Sequence, residues 1–279
     1  MPINRHSRVA AFLLPHQDDE FGAFGLVEDC VAKAERPVCI FLTDGQANAA
    51  VGARRNRESQ AVLRQLGVAQ EDIFFLGTEL RVPDGMLYQH LEQVYHALIR
   101  LLGGLNIAQA YVPAWEGGHH DHDAAHALGV LLCETLSQKT PLQFPLYNGV
   151  GLPGPLFRVL HPLPTNGEVQ RVRFGLRRAC RYLALCLCYR SQWRTWLGLY
   201  PFIALVTLSR RGYALQQVNL RRMTERPHSG PLFYERRFGV DYADVSAAIA
   251  TFMGMISVVS AGSAACPVTD PRERPAMLH

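Results

Sequence analysis

The first half of the chain alternates short apolar runs with longer amphipathic stretches, an order that few folds accept. Val9–Leu14, Val38–Thr43, Ile73–Leu76 and Ala110–Pro113 read as buried strands, whereas Arg54–Leu66, Met86–Leu102 and Asp123–Ser137 carry helical periodicity. Strands that are apolar along their whole length and alternate with helices belong to a parallel sheet, because each parallel connection needs a crossover that then covers a face. The expected fold is α/β: a Rossmann-like, mainly parallel sheet with helices on both faces. In such sheets the ligand crevice lies beyond the carboxyl ends of the strands. The loops after the first, second and fourth strands are therefore where chemistry is expected.

From Leu142 onward the pattern loosens. Pro141, Pro145, Pro153, Pro155, Pro162 and Pro164 suit extended or loop structure, with one strand expected at Leu142–Tyr147. Arg177–Leu208 reads as helical and unusually apolar, and the region around Leu232–Phe238 reads as hairpin-like. Ala247–Cys266 is uncharged but too rich in Ser, Gly, Ala and Thr for a membrane span, so a packed or frayed C-terminal helix is expected. Asp270–His279 reads as a disordered tail. The expected organisation is a catalytic core over 1–150, a C-terminal cap or substrate-rim segment over 151–240 packed on the same domain, and a helix with its tail over 241–279.

Composition narrows the class. With 48% hydrophobic and 19% charged residues, the 279-residue chain can bury a core, which excludes disordered and fibrous proteins. Its net charge of +4 hides two unlike parts: 11 basic against 17 acidic residues in 1–150, then 17 against 7 in 151–279. Tyr182, Tyr189, Trp193 and Trp196 interleave with arginines, as on a nucleic-acid surface. The density of Leu and Cys there favours instead a buried helix with arginines at its edge, and no nucleic-acid partner is expected. Seven cysteines without a CxxC pair point to reduced thiols in a cytoplasmic protein. Val9–Leu14 is too short for a signal-peptide core, and no transmembrane anchor is expected.

Two polar clusters carry the chemistry. Pro15-His16-Gln17-Asp18-Asp19-Glu20 follows the first strand, and a histidine and a carboxylate three residues apart can meet at one metal while the carboxylate between them stays free as a base. Gly117-Gly118-His119-His120-Asp121-His122-Asp123, with His126 beyond it, follows the fourth strand. His122 can complete a two-histidine, one-aspartate set with His16 and Asp19, leaving a fourth position for water. Either cluster alone has ordinary explanations in helix capping or a satisfied histidine. Together, at the strand ends, they point to a metal site.

These residues resemble the PIG-L/LmbE-like family of zinc-dependent N-acetylglucosaminyl deacetylases, whose motifs read (P/A)HPDDE and HPDH. Arg55-Asn56-Arg57-Glu58 with Leu66-Gly67-Val68 is similar to the family's RxxE…LG helix, and Pro83-Asp84-Gly85 to its PDG turn. The likeness runs from about Val9 to Ala127, with weaker echoes at Arg190-Ser191-Gln192 and Tyr234-Glu235-Arg236. Gln17 and His120 depart from it, each standing where the family has proline.

The resemblance implies a zinc ion, or another divalent ion such as Fe2+, held by His16, Asp19 and His122, with Asp18 as general base. It implies His119 as electrophile or acid with Asp121 orienting its ring, and Arg55 and Asp84 on sugar hydroxyls. The implied reaction is hydrolysis of an N-acetyl group on an amino sugar or glycoconjugate. An amidase acting on a thiol conjugate, an antibiotic glycoside or a sugar lipid is the alternative, and the basic second half points to an anionic group on the substrate. A non-catalytic binder of anions or nucleic acid is the alternative of another class.

Overall fold

A computed structural model describes residues 7–45 and 49–264. The strands are β1 (Val9–Leu14), β2 (Arg36–Phe41), β3 (Ile73–Phe74), β4 (Ile107–Pro113), β5 (Leu142–Phe144), β6 (Tyr147–Asn148), β7 (Arg158–Val159), β8 (Gln170–Arg173) and β9 (Gly212–Gln217). The helices are α1 (Phe24–Ala32), α2 (Ala49–Gln65), α3 (Leu76–Leu80), α4 (Leu91–Leu102), α5 (His120–Thr135), α6 (Leu176–Cys186), α7 (Trp193–Arg210), α8 (Phe233–Phe238) and α9 (Tyr242–Ala264).

The main sheet has the order β3-β2-β1-β4-β5-β9-β8. The first five strands run parallel, and β9 and β8 join antiparallel at one edge. Strand order reverses at β1, which pairs with β2 on one side and β4 on the other. The crevice between β1 and β4 is thus the switch point at which α/β sheets bind ligands.

β1 shows how the strand pattern builds a covered sheet. Every residue in it is buried, and the pleat sends successive side chains to opposite faces. Val9, Ala11 and Leu13 join the core under α4, α5 and α9, while Ala10, Phe12 and Leu14 join the core under α1, α2, α6 and α7. On α4, Leu91, Val94, Leu98 and Leu102 keep the three-to-four residue spacing that turns one stripe inward.

Several sequence expectations need correction. The region around Leu232–Phe238 is the helix α8 and not a hairpin: Glu235 accepts the Leu232 N–H in the first turn, and Gly239 ends the helix at φ 70°. Leu76 begins α3 rather than ending a strand, and Arg177–Leu208 is divided between α6 and α7 by a 3-10 turn at Arg190–Gln192. β8 and β9 were not expected at all. The C-terminal helix α9 packs on the core through Val245, Ile249, Phe252 and Ile256. Asp270–His279, the expected tail, lies outside the described residues.

Candidate metal and catalytic site

His16 follows β1 by two residues, and its ring lies among carboxylates. Nδ1 is 3.1 Å from Asp19 Oδ2, and Nε2 is 3.0 Å from Asp121 Oδ2 and 3.2 Å from Asp84 Oδ1. Burial works against a charge on this ring, but Asp84 and Asp19 outweigh it and raise its pKa well above the ordinary value. Burial likewise opposes ionisation of Asp19, yet His122 and His16 draw its pKa down.

Asp18 is the most constrained residue of the turn. Its backbone has φ 123° and ψ −18°, a region that side chains other than glycine rarely enter. Its carboxylate stands outside the close group formed by His16, Asp19 and His122 and lies near Arg55, so adjacent residues of one turn meet different partners. Burial pushes the Asp18 pKa well above the carboxylate range, opposed by the Arg55 guanidinium 3.9 Å away.

α5 brings the second cluster to the same crevice. Its N-cap is His119, whose Nδ1 accepts the Asp121 N–H at 3.1 Å. A ring that accepts at Nδ1 carries its proton on Nε2, and burial, followed by the nearby His16, lowers its pKa well below the ordinary value. His119 is therefore a neutral donor rather than an imidazolium. The expectation that the Asp121 carboxylate orients this ring needs correction. That carboxylate faces His16 and accepts the Gly85 and Leu87 N–H groups at 2.7 and 2.9 Å, and only the Asp121 backbone reaches His119.

The three residues that the sequence nominates as ligands could hold a metal ion. Ligand atoms of His16, Asp19 and His122 all lie within 4.8 Å of one another, and all three residues are buried. Both ring nitrogens of His122 are buried without a hydrogen-bond partner, although Nε2 lies 3.2 Å from Asp19 Oδ1. A fully buried imidazole left so is costly unless something else takes its lone pair. His16, Asp84, His119 and Asp121 form a second close group that shares His16.

The two departures from the family motifs replace a rigid turn with hydrogen bonds. Gln17 Nε2 donates to Asn56 Oδ1 at 2.8 Å and to the Thr43 carbonyl at 3.3 Å, tying the His16 turn to α2. His120 Nε2 donates to the Gly85 carbonyl at 2.8 Å, and its ring stacks on His119 at 4.3 Å.

Arg55 and Asp84 meet at 3.1 Å on the rim of the site. Arg55 also donates to the Gly45 carbonyl and, at 2.6 Å, to Gln192 Oε1, while Ser191 donates to Glu58. The Arg190-Ser191-Gln192 segment is thus the partner of the Arg55…Glu58 pair. Asp123 and His126, though part of the second cluster, face away from the metal set. Asp123 accepts the Glu116 and Gly117 N–H groups, and His126 Nδ1 donates to the Pro113 carbonyl.

Sequence reasoning missed the aromatic wall. Tyr147 lies 5.2 Å from His122 between ring centroids, and Phe238 lies 4.8 Å from His119. Both line a groove of about 300 Å³ with Phe157, Phe233, Arg194 and Arg237. These residues come from the poorly patterned second half, where no spacing marks them as neighbours of the metal set.

Residues 11–133 match the PIG-L family model, described as GlcNAc-PI de-N-acetylase. Over this stretch, less than half of its length, the chain is similar to that family. The matched segment holds both motif clusters, Arg55 and Asp84, and ends within α5. No curated protein matches the chain. Among solved structures, a triple mutant of the deacetylase in the teicoplanin biosynthetic pathway is 17% identical, with a TM-score of 0.58 over 76% of this chain and 98% of that one. The A40926 pseudoaglycone deacetylase is 14% identical, with a TM-score of 0.57 over 81% and 100%. The N,N'-diacetylchitobiose deacetylase from Pyrococcus horikoshii is 15% identical, with a TM-score of 0.52 over 76% and 84%. These likenesses establish the fold.

Proposed function

We propose that the protein is a metal-dependent hydrolase that removes an N-acetyl or other N-acyl group from an amino sugar or glycoconjugate. The observation that carries this reading is the joining of His16, Asp19 and His122 into one buried ligand set, with a strained, unliganded Asp18 beside it and a neutral His119 opposite. The PIG-L match and the deacetylase neighbours support the same reaction class.

His16, Asp19 and His122 would hold the ion. A divalent cation bound there supplies a lowered water pKa and a polarised amide carbonyl. Asp18, its pKa raised by burial, is a stronger base than an exposed carboxylate and takes the proton of the attacking water. His119 offers its Nε2 proton to the oxygen on which charge develops, and its neutral ring keeps that donation available without competing for the base. Asp18 then returns its proton to the departing amine. Arg55 fixes Asp18 and Asp84, and Asp84, which is partly exposed, is the group best placed to accept sugar hydroxyls.

The groove at the site takes the remainder of the substrate. Its aromatic walls suit a sugar face or an apolar aglycone, and Arg194 and Arg237 suit an anionic group on it. Zinc is the expected ion, with Fe2+ as the alternative for this donor set.

The test pairs metal analysis with amine release from a panel of neutral and anionic N-acetylated sugars. Asp18→Asn should keep stoichiometric metal and lose about 10²- to 10⁴-fold in kcat, whereas His122→Ala should lose the metal. Full turnover by Asp18→Asn would remove it as the base, and a metal-free, fully active wild type would overturn the reading.

A further inference from the structure

The helix α7 is apolar on the side it should show to water. Trp196, Leu199, Ile203 and Thr207 are buried against the core. The opposite side carries Trp193, Leu197, Pro201, Leu205 and Leu208, spaced three or four residues apart and therefore in one stripe. Leu197 is 71% exposed, Leu205 68% and Trp193 59%. A surface helix normally turns polar residues outward, and one that is apolar all round is normally covered. The stripe continues onto the end of α6, where Leu187 lines one depression with Trp193, Leu197 and Pro201.

The charge around the stripe identifies what covers it. Between Glu168 and Glu225 the chain holds eleven arginines and no aspartate or glutamate. Arg178 and Arg181 are ion-paired to Glu28 and Asp29 of α1. Arg190 and Arg194 at one end of α7, and Arg210 and Arg211 at the other, are exposed and form no ion pair among the described residues. A tryptophan and exposed leucines between two cationic ends describe a helix that lies in the headgroup layer of an anionic bilayer. No helix among the described residues is long and apolar enough to cross a membrane, so the contact would be peripheral.

We propose that the outer face of α7, with the end of α6, docks the protein onto an anionic lipid surface. Arg194, Thr195 and Gly198 of α7 also line the aromatic groove beside the site, so docking would place that groove's mouth at the bilayer. The proposal stands on the stripe and its charges and is independent of the reaction assigned above.

Sedimentation of the purified full chain with phosphatidylcholine vesicles, with and without phosphatidylglycerol, tests it. Binding should require the anionic lipid. Leu197→Glu with Leu205→Glu should lower the bound fraction about tenfold while leaving the melting temperature unchanged, since neither side chain is buried. Arg190→Gln with Arg211→Gln, which leaves the apolar stripe intact, should remove the preference for anionic over neutral vesicles. No binding to anionic vesicles would overturn the proposal, as would unchanged binding by both double variants. A concentration-dependent dimer abolished by the leucine pair, without vesicle binding, would overturn it in favour of a second copy of the chain.

Discussion

At Asp18 the backbone is bent for the sake of the side chain. A non-glycine residue at φ 123° costs about 1–3 kcal/mol, and such outliers gather where function needs them. Asp18→Gly should therefore be more stable than Asp18→Ala by about 1–2 kcal/mol in urea unfolding, although both lack the proposed base. Equal stabilities would show that the turn is unstrained. The sequence makes the residue types of this site legible, because His16, Asp18, Asp19 and His122 stand in two compact clusters. It does not show which carboxylate serves which ring. Asp121 lies two residues from His119, yet its carboxylate reaches across to His16, because α5 carries that side chain towards the β1 loop and the Gly85 and Leu87 amides fix it there.

The elements that carry the site meet at close range. A Cβ on Gly118 would lie 1.9 Å from the Tyr147 carbonyl oxygen, so the loop entering α5 passes directly against β6. Gly118→Ala must push this loop off, moving His119 and His122 together. Loss of measurable turnover and weakened metal binding are expected, with a lowered melting temperature; a normal variant would mean the loop is free to shift. Strands were readable where both faces are buried, as along β1, and unreadable where they are not. β8 is exposed along its whole length and reads Gln-Arg-Val-Arg, which offers no apolar pattern. α8 misleads in the opposite way. Phe233-Tyr234-Glu235-Arg236-Arg237-Phe238 carries three aromatic residues of the kind enriched in strands, whereas the Glu235 bond to Leu232 and the glycine stop are helix signals.

For the molecule as a whole, Glu116 ties the loop after β4 to the start of the second, proline-rich region at β6. Its Oε1 accepts the Leu146 and Tyr147 N–H groups at 2.7 and 2.9 Å, and its Oε2 accepts from Asn148 at 3.1 Å. Burial raises its pKa from an ordinary 4.5 to about 7 despite these donors. The folded protein thus holds a proton there that the unfolded chain releases at lower pH. The stability linked to that proton is full below 4.5 and is lost as pH rises towards 7. Relative to Glu116→Gln, the wild type should lose about 1.4 kcal/mol per pH unit across that window, read from urea unfolding at several pH values. A constant difference between the two would place the carboxyl's titration elsewhere.

The central position of β1 also has a consequence in time. This strand leaves the ribosome well ahead of its neighbour β4, which pairs Ile107 with Val9 about a hundred residues later. Contacts so distant along the chain form slowly, and His122 lies beyond them. A nascent chain that ends before α5 holds His16 and Asp19 but lacks His122, so the proposed metal set cannot be complete until the sheet around β1 can close.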